Sequence, residues 1–225
     1  MYELIAEYSI YIALLLGYFT GFFVLRSIFK KSKNNSLWLL CLIFTFFSLL
    51  SAFIFASFEE LISLHRFHFG SISTYGVYFI CPPFLFCVFR KKSREDLKEL
   101  FDKYAVYICP SMIFQRLHCM LAGCCGGKEI FRIGFFWPTR ETEIIFYFLI
   151  LLFFCNRIST GKYSKGTLLP LLMCFYGVFR FVNEFFRTGI GLIRMAHIWS
   201  VLSIMIGYAV YIELKKHHNR QETIW

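Results

Sequence analysis

Charged residues are scarce in this 225-residue chain, and acidic ones scarcest. Charged side chains make up 17% of it, 14 Asp and Glu against 24 Lys and Arg, while 58% is hydrophobic. A soluble domain carries about a quarter charged residues and about half apolar ones; the mean hydropathy here is +0.59. That balance excludes an ordinary soluble fold and points to an integral membrane protein. The apolar runs lack the ten-residue alternation of a transmembrane barrel, so the expected class is all-α. No basic residue precedes Arg26. The opening stretch therefore lacks the positive n-region of a cleaved signal and is expected to remain as a first transmembrane helix. No internal repeat or low-complexity tract interrupts the chain, and no repeated pair of broken helices suggests a transporter.

Cysteine is plentiful but excludes more than it offers. The nine cysteines would suggest a disulfide framework only in a short secreted chain. Cys41, Cys81, Cys87, Cys155 and Cys174 lie in apolar runs, where a free thiol behaves as a small hydrophobe. Cys119, Cys124 and Cys125 cluster beside His118, yet their spacing matches no common zinc pattern and no second Cys/His pair accompanies them. Neither a metal nor another cofactor is expected.

Seven apolar segments can be marked, roughly 8–28, 36–57, 72–89, 105–122, 143–156, 167–186 and 195–214. They predict a polytopic bundle of about seven transmembrane helices in one domain spanning 1–225. The connections alternate in charge. Residues 26–33, 90–103, 157–165 and 215–220 hold 16 of the 24 basic residues, and the positive-inside rule places these four stretches in the cytoplasm. The N-terminus is then outside and the C-terminus inside. Most of the net charge of +10 is a topology signal, and no nucleic-acid partner is implied. The remaining eight cations are Arg66, Arg116, Lys128, Arg132, Arg140, Arg180, Arg187 and Arg194. They fall on the outer side, where topology disfavours them. Seven are arginine, whose planar fork suits phosphate, so an anionic lipid headgroup is the expected partner.

Three stretches carry polar residues into the apolar background. In FQRLHCMLAGCCGG (114–127), Arg116 lies at membrane depth, where charges face the bundle interior or a wet cavity more often than lipid. A snorkelling anchor is the plainer alternative. The glycines after it permit positive φ and close backbone approach. In CFYGVFRFVNEFFRTG (174–189), Tyr176, Arg180, Glu184 and Arg187 recur at i, i+4, i+8 and i+11 and share one helical face. An intrahelical Arg180–Glu184 pair explains part of this, but not why the stripe lies among Phe and Val. In FFWPTRETE (135–143), Glu143 could cap the fifth span or serve a site.

Together these stretches resemble the prolipoprotein diacylglyceryl transferases. In QRLHCMLAGCCGG (115–127), Arg116 stands at the family's arginine, Cys119 at its asparagine, Gly123 at a glycine, Cys124 at its glutamate and Gly127 at a later glycine. WPTRETE resembles the family's His-Pro-Ser-Gln-Leu-Tyr-Glu element, keeping Pro138 and Glu143. YGVFRFVNEFFR (176–187) matches the Tyr-Gly-x-x-Arg-Phe-x-x-Glu-x-x-Arg element throughout. GSISTYG (70–76) resembles a glycine-rich loop, with Tyr75 where the family has histidine. His197 replaces a glutamine before the last span. The second-span Gly-Arg element has no counterpart in LLSAFIFASF (49–58), and the first-span tyrosine has only Tyr8 and Tyr11 nearby. The resemblance covers about 70–214.

It implies transfer of diacylglycerol from phosphatidylglycerol to the lipobox cysteine of prolipoproteins, in the bacterial inner membrane, with no cofactor. Arg116, Arg180, Tyr75 and Glu184 are the implied catalytic residues. Arg116, Arg180, Tyr176, Gly127, Glu143, Cys119, Cys124 and His197 are the implied substrate contacts. Two other readings share these residues: a non-catalytic lipid-binding or accessory protein, and a transferase acting on another acceptor. The base that activates the thiol stays open. A tyrosine of ordinary pKa about 10 is a poor base at neutral pH, and His118 is the alternative.

Overall fold

The computed structural model describes residues 2–29, 37–64, 72–124, 126–130, 134–161, 163–188 and 194–222. Arg66, Cys125 and Arg132 lie outside them. Eight helices follow in order among the described residues: α1 Tyr2–Ile28, α2 Leu37–Leu64, α3 Thr74–Phe79, α4 Cys81–Phe89, α5 Arg94–Leu121, α6 Thr139–Ser159, α7 Leu168–Phe185 and α8 Met195–Glu222. The protein is an all-α multi-pass membrane protein. Its strands are a two-residue antiparallel pair, β1 Glu129–Ile130 and β2 Phe135–Phe136, with Glu129 opposite Phe136. Stretches within α1, α2, α6, α7 and α8 are each long and apolar enough to cross a membrane, and Thr74–Phe89 is a shorter apolar run.

Each apolar segment of the sequence is helical, but the bounds differ for identifiable reasons. The 72–89 segment is two helices that meet at Ile80, just ahead of Pro82 at the start of α4. Proline lacks an amide hydrogen and fits a first helical turn rather than an interior. The charged stretch before 105, expected as a connection, is instead the first turns of α5. Ser93 caps them by accepting from the Asp96 amide at 3.2 Å, with Glu95 and Asp96 in the first turn. α6 begins at Thr139, directly after Pro138, so Glu143 stands in its second turn instead of at its cap.

α5 is the centre of the bundle. Residues 102–110 are buried without a break, so the neighbouring helices shield them. Small residues let α1 approach: a methyl on Gly17 would sit 3.1 Å from the Ser111 Cα, and one on Gly21 would meet the Tyr107 ring. This is the small-residue packing by which membrane helices replace a missing hydrophobic drive. α7 and α8 pack the same way, Gly177 against the Ser200 carbonyl and Gly207 against the Pro170 carbonyl. Tyrosines fill the space between. Tyr78, Tyr104, Tyr147 and Tyr176 are fully buried; Tyr78 and Tyr147 share a hydroxyl contact at 3.0 Å, and Tyr104 donates to the Val77 carbonyl at 3.0 Å. Outward-facing Leu, Ile and Phe side chains on α1, α2, α6 and α8 are exposed, as lipid-facing surfaces require.

At the basic end, Asp102 is fully buried and accepts from the amides of Gly166 (2.6 Å) and Leu168 (2.9 Å). It joins α5 to the first turn of α7, satisfying donors that a helix start leaves open. The start of α7 is thereby tied to the early turns of α5.

A buried arginine–glutamate ladder beside a cavity

The three polar stretches of the sequence converge at the other end of α5. Glu143, 3% exposed, enters from α6, forms an ion pair with Arg116 of α5 and accepts from Arg180 of α7. The second terminal nitrogen of Arg180 reaches Glu184, one turn along α7, at 2.8 Å. Glu184 also takes Arg194, just before α8, at 3.0 Å, and Arg187 at 3.9 Å. Four guanidiniums thus alternate with two carboxylates across α5, α6 and α7 and the start of α8. The cluster keeps two positive charges in excess.

Such burial has a physical requirement. Moving a charge out of water costs several kcal/mol per ion, offset only where partners are well placed and further hydrogen bonds are made. The ladder meets it with neighbours. Arg116 donates to Thr74 Oγ1 at 3.1 Å and lies 3.9 Å from Cys119 Sγ. Arg194 donates to the carbonyls of Thr188 (3.1 Å) and Arg187 (2.8 Å). Asn183 fixes α6 against α7, accepting from Trp137 Nε1 at 3.0 Å and donating to the Thr139 carbonyl at 3.3 Å. Within the ladder the Nε atoms of Arg180 and Arg194 are buried with no hydrogen-bond partner among the described residues.

A cavity of about 700 Å³ opens beside the ladder. Arg116, Arg180, Glu184 and Arg187 line one side of it, and Ala13, Leu14, Gly17, Leu49 and Ala52 of α1 and α2 form an apolar wall. One cavity therefore has a charged, arginine-bearing pole and a greasy flank, which suits a ligand with a polar head and apolar tails.

The sequence-selected residues do not all meet there. Tyr176 lines the cavity with its ring 4.7 Å from that of Tyr78 and 5.8 Å from that of Tyr75. Tyr75 lines it too, but its hydroxyl turns to α8, donating to the Ala196 carbonyl at 2.8 Å beside Ser200 Oγ at 2.7 Å. Cys119 and Cys124 lie on the lining, their carbonyls each held by Arg140 at 3.2 Å. Gly127 is absent from it. That glycine pairs its backbone with Arg187, and a methyl group there would collide with the Trp137 carbonyl. His197 is also outside the lining: its Nδ1 accepts from the Arg194 amide at 3.0 Å while the ring packs on Phe181 and Phe185. Both residues shape the ladder's surroundings. Thr74, Asn183 and Glu59 were missed by sequence reasoning. Asn183 sits inside the matched 176–187 stretch, which was its available signal. Glu59 lines the cavity beside Glu60 and lies against Ser73 and Trp199, and nothing in its own segment marked it.

Comparison with known proteins gives a consistent result. A family model described as prolipoprotein diacylglyceryl transferase matches residues 4–213. The chain is 29% identical over 150 residues to phosphatidylglycerol–prolipoprotein diacylglyceryl transferase 2 of Clostridium perfringens, covering 59% of this chain and 58% of that protein. It is 29% identical over 160 residues to a phosphatidylglycerol–prolipoprotein diacylglyceryl transferase of Clostridium tetani, covering 63% of this chain and 59% of that protein. The matched segment thus spans less than two thirds of either relative.

Proposed function

We propose, since the chain belongs to the prolipoprotein diacylglyceryl transferase family, that it moves diacylglycerol from phosphatidylglycerol to the lipobox cysteine of a prolipoprotein. The product is a thioether and the leaving group is glycerol phosphate. The reaction takes place in the bacterial inner membrane, the chain crossing about seven times as one domain with its N-terminus outside and its C-terminus in the cytoplasm. The observation that carries this reading is the arginine cluster at one pole of a cavity whose other flank is apolar.

The chemistry follows from charge. Phosphatidylglycerol holds its phosphate as a diester with one negative charge. Attack by a thiolate on the diacylglycerol carbon breaks the bond to the phosphate oxygen and releases a monoester that gains a second. Fixed donors stabilise such developing charge more than water does, because they need no reorganisation as the bond breaks. Arg116 and Arg180 supply them, and Arg187 widens the field. Glu143 and Glu184 keep the two guanidiniums in register and prevent their mutual repulsion from spreading the pole. Tyr176 packs beside them and limits water. The acyl chains run along the apolar wall of α1 and α2.

The test is complementation of a bacterial strain depleted of its own transferase, paired with transfer of labelled diacylglycerol from phosphatidylglycerol vesicles to a lipobox peptide. Growth and a labelled peptide are expected. Retention of phosphatidylglycerol with no transfer to any acceptor would leave a lipid-binding protein in place of an enzyme.

A further inference from the structure

The transferase reading requires a group that removes the thiol proton. Tyr75 is poorly placed for that work, because its hydroxyl donates to the Ala196 carbonyl and faces α8. Among the described residues, four side chains with a carboxylate or an imidazole line the cavity: Glu59, Glu60, Glu184 and His118. Glu184 is surrounded by three arginines.

Displacement at carbon is in line, so the nucleophile enters opposite the leaving phosphate. The base must stand on the nucleophile's side. A thiolate attacks from about 3–3.5 Å, and its base lies within about 2.6–3.2 Å of the thiol. The base therefore stands roughly 6 Å from the reacting carbon, on the side away from the arginines. Glu59 is on the wrong side, in the field of Arg180 and Glu184. A carboxylate is in general a weaker base toward a thiol than an imidazole, their model values lying about four and about two units below that of the thiol.

His118 lines the cavity on a different flank of α5 from Arg116. It is two residues from Arg116 on α5, and at 3.6 residues per turn two positions lie about 200° apart. The contacts agree: Arg116 reaches α6 and α3 through Glu143 and Thr74, whereas His118 turns to α1, with Nδ1 2.6 Å from Ser9 Oγ. Both line the same cavity, on opposite flanks of one helix. Ser9 is buried and defines the ring's setting. In the tautomer whose Nδ1–H donates to Ser9, the remaining nitrogen, Nε2, carries the basic lone pair.

We propose that His118 is the general base of this chain, with Ser9 as its positioning residue. His118 Nε2 takes the thiol proton as the carbon–sulfur bond forms and the carbon–oxygen bond to phosphate breaks. The oxygen leaves with the bond pair on glycerol phosphate, and the imidazolium releases its proton to water at the outer mouth. The assignment rests on the transferase reading.

The experiment uses the full-length protein in vesicles of labelled phosphatidylglycerol with a lipobox peptide, reading thioether product, glycerol phosphate release and lipid retention. His118→Gln keeps a hydrogen-bonding group towards Ser9 but no basic lone pair; His118→Ala leaves space for added imidazole. Both are expected to lose at least about 100-fold in transfer rate while retaining the lipid as wild type does, and imidazole is expected to restore part of the rate of the Ala variant alone. Ser9→Ala is expected to show a smaller fall in kcat with the lipid KM unchanged. Transfer by His118→Gln within a few-fold of wild type overturns the assignment, as does a parallel loss of lipid retention, which makes the residue structural. Absence of imidazole rescue in a folded Ala variant overturns it as well. If the Ala variant does not accumulate, the Gln variant decides. Wild-type protein that retains lipid and transfers nothing overturns the transferase reading first and the base with it.

Discussion

At the scale of the residue, the ladder separates side chains that act through charge from those that act through shape. Arg180 holds Glu143 and Glu184 with its two terminal nitrogens and leaves Nε unpartnered. A lysine keeps the charge but has no planar fork to serve several acceptors at once. Arg180→Lys is therefore expected to lose one charge-assisted contact, about 1.5–3 kcal/mol or about ten- to a hundredfold in transfer rate. Arg116→Lys is expected to fall in the same range. The check is labelled transfer normalised to the membrane level of each variant; wild-type turnover in both would reduce these arginines to helix anchors. Glu143 is a different case. Its neutralisation leaves two buried guanidiniums facing each other without their shared counter-ion, and breaking a buried pair costs about 3–5 kcal/mol. Glu143→Gln is thus expected to lower the melting temperature of the purified protein well before activity is considered. Thermal unfolding in detergent, set beside that of Glu143→Asp, measures it; equal melting of Gln variant and wild type would contradict the buried-bridge account.

At the scale of the element, the site depends on how closely helices approach. α3 meets α2 where Gly76 faces the Ser51 carbonyl, and a methyl group there would collide with that oxygen. Backbone cannot yield as a flexible side chain does, so the whole of α3 must shift. α3 also carries Thr74, the hydroxyl that receives Arg116. Gly76→Ala is accordingly expected to destabilise the protein by about 1–3 kcal/mol and to weaken transfer further by moving Thr74 off its partner. Adding Thr74→Val to Gly76→Ala should then cost less than Thr74→Val costs alone, a non-additivity read by a double-mutant cycle on transfer rate. Strict additivity would mean that α3 moves without disturbing Arg116. The same dependence on backbone contact explains Gly127, whose substitution would strike Trp137.

At the scale of the whole molecule, the alternation of basic connections along the sequence predicts the orientation. A reporter fused after residue 225 is accordingly expected on the cytoplasmic side. A tag within 128–137 is expected to react with an impermeant reagent from outside. Both on one side would overturn the seven-crossing arrangement.

The sequence by itself determined the class, the apolar segments and the shared face of Arg180 and Glu184, which follow from composition and periodicity, local properties of the chain. The family resemblance added Arg116 and Glu143 to that polar set. The sequence did not determine the division of 72–89 into α3 and α4 or the helical start of α5, because turn-level capping and proline placement decide such bounds within a few residues. Only the tertiary structure decided that Glu143 bridges two arginines from two other helices, that Tyr75 turns its hydroxyl away, and that His118 and Arg116 flank one cavity. Periodicity places residues on a face of their own helix. Which neighbour that face meets depends on the rotation and depth at which glycine and serine let helices pack, and that is a property of the assembled bundle.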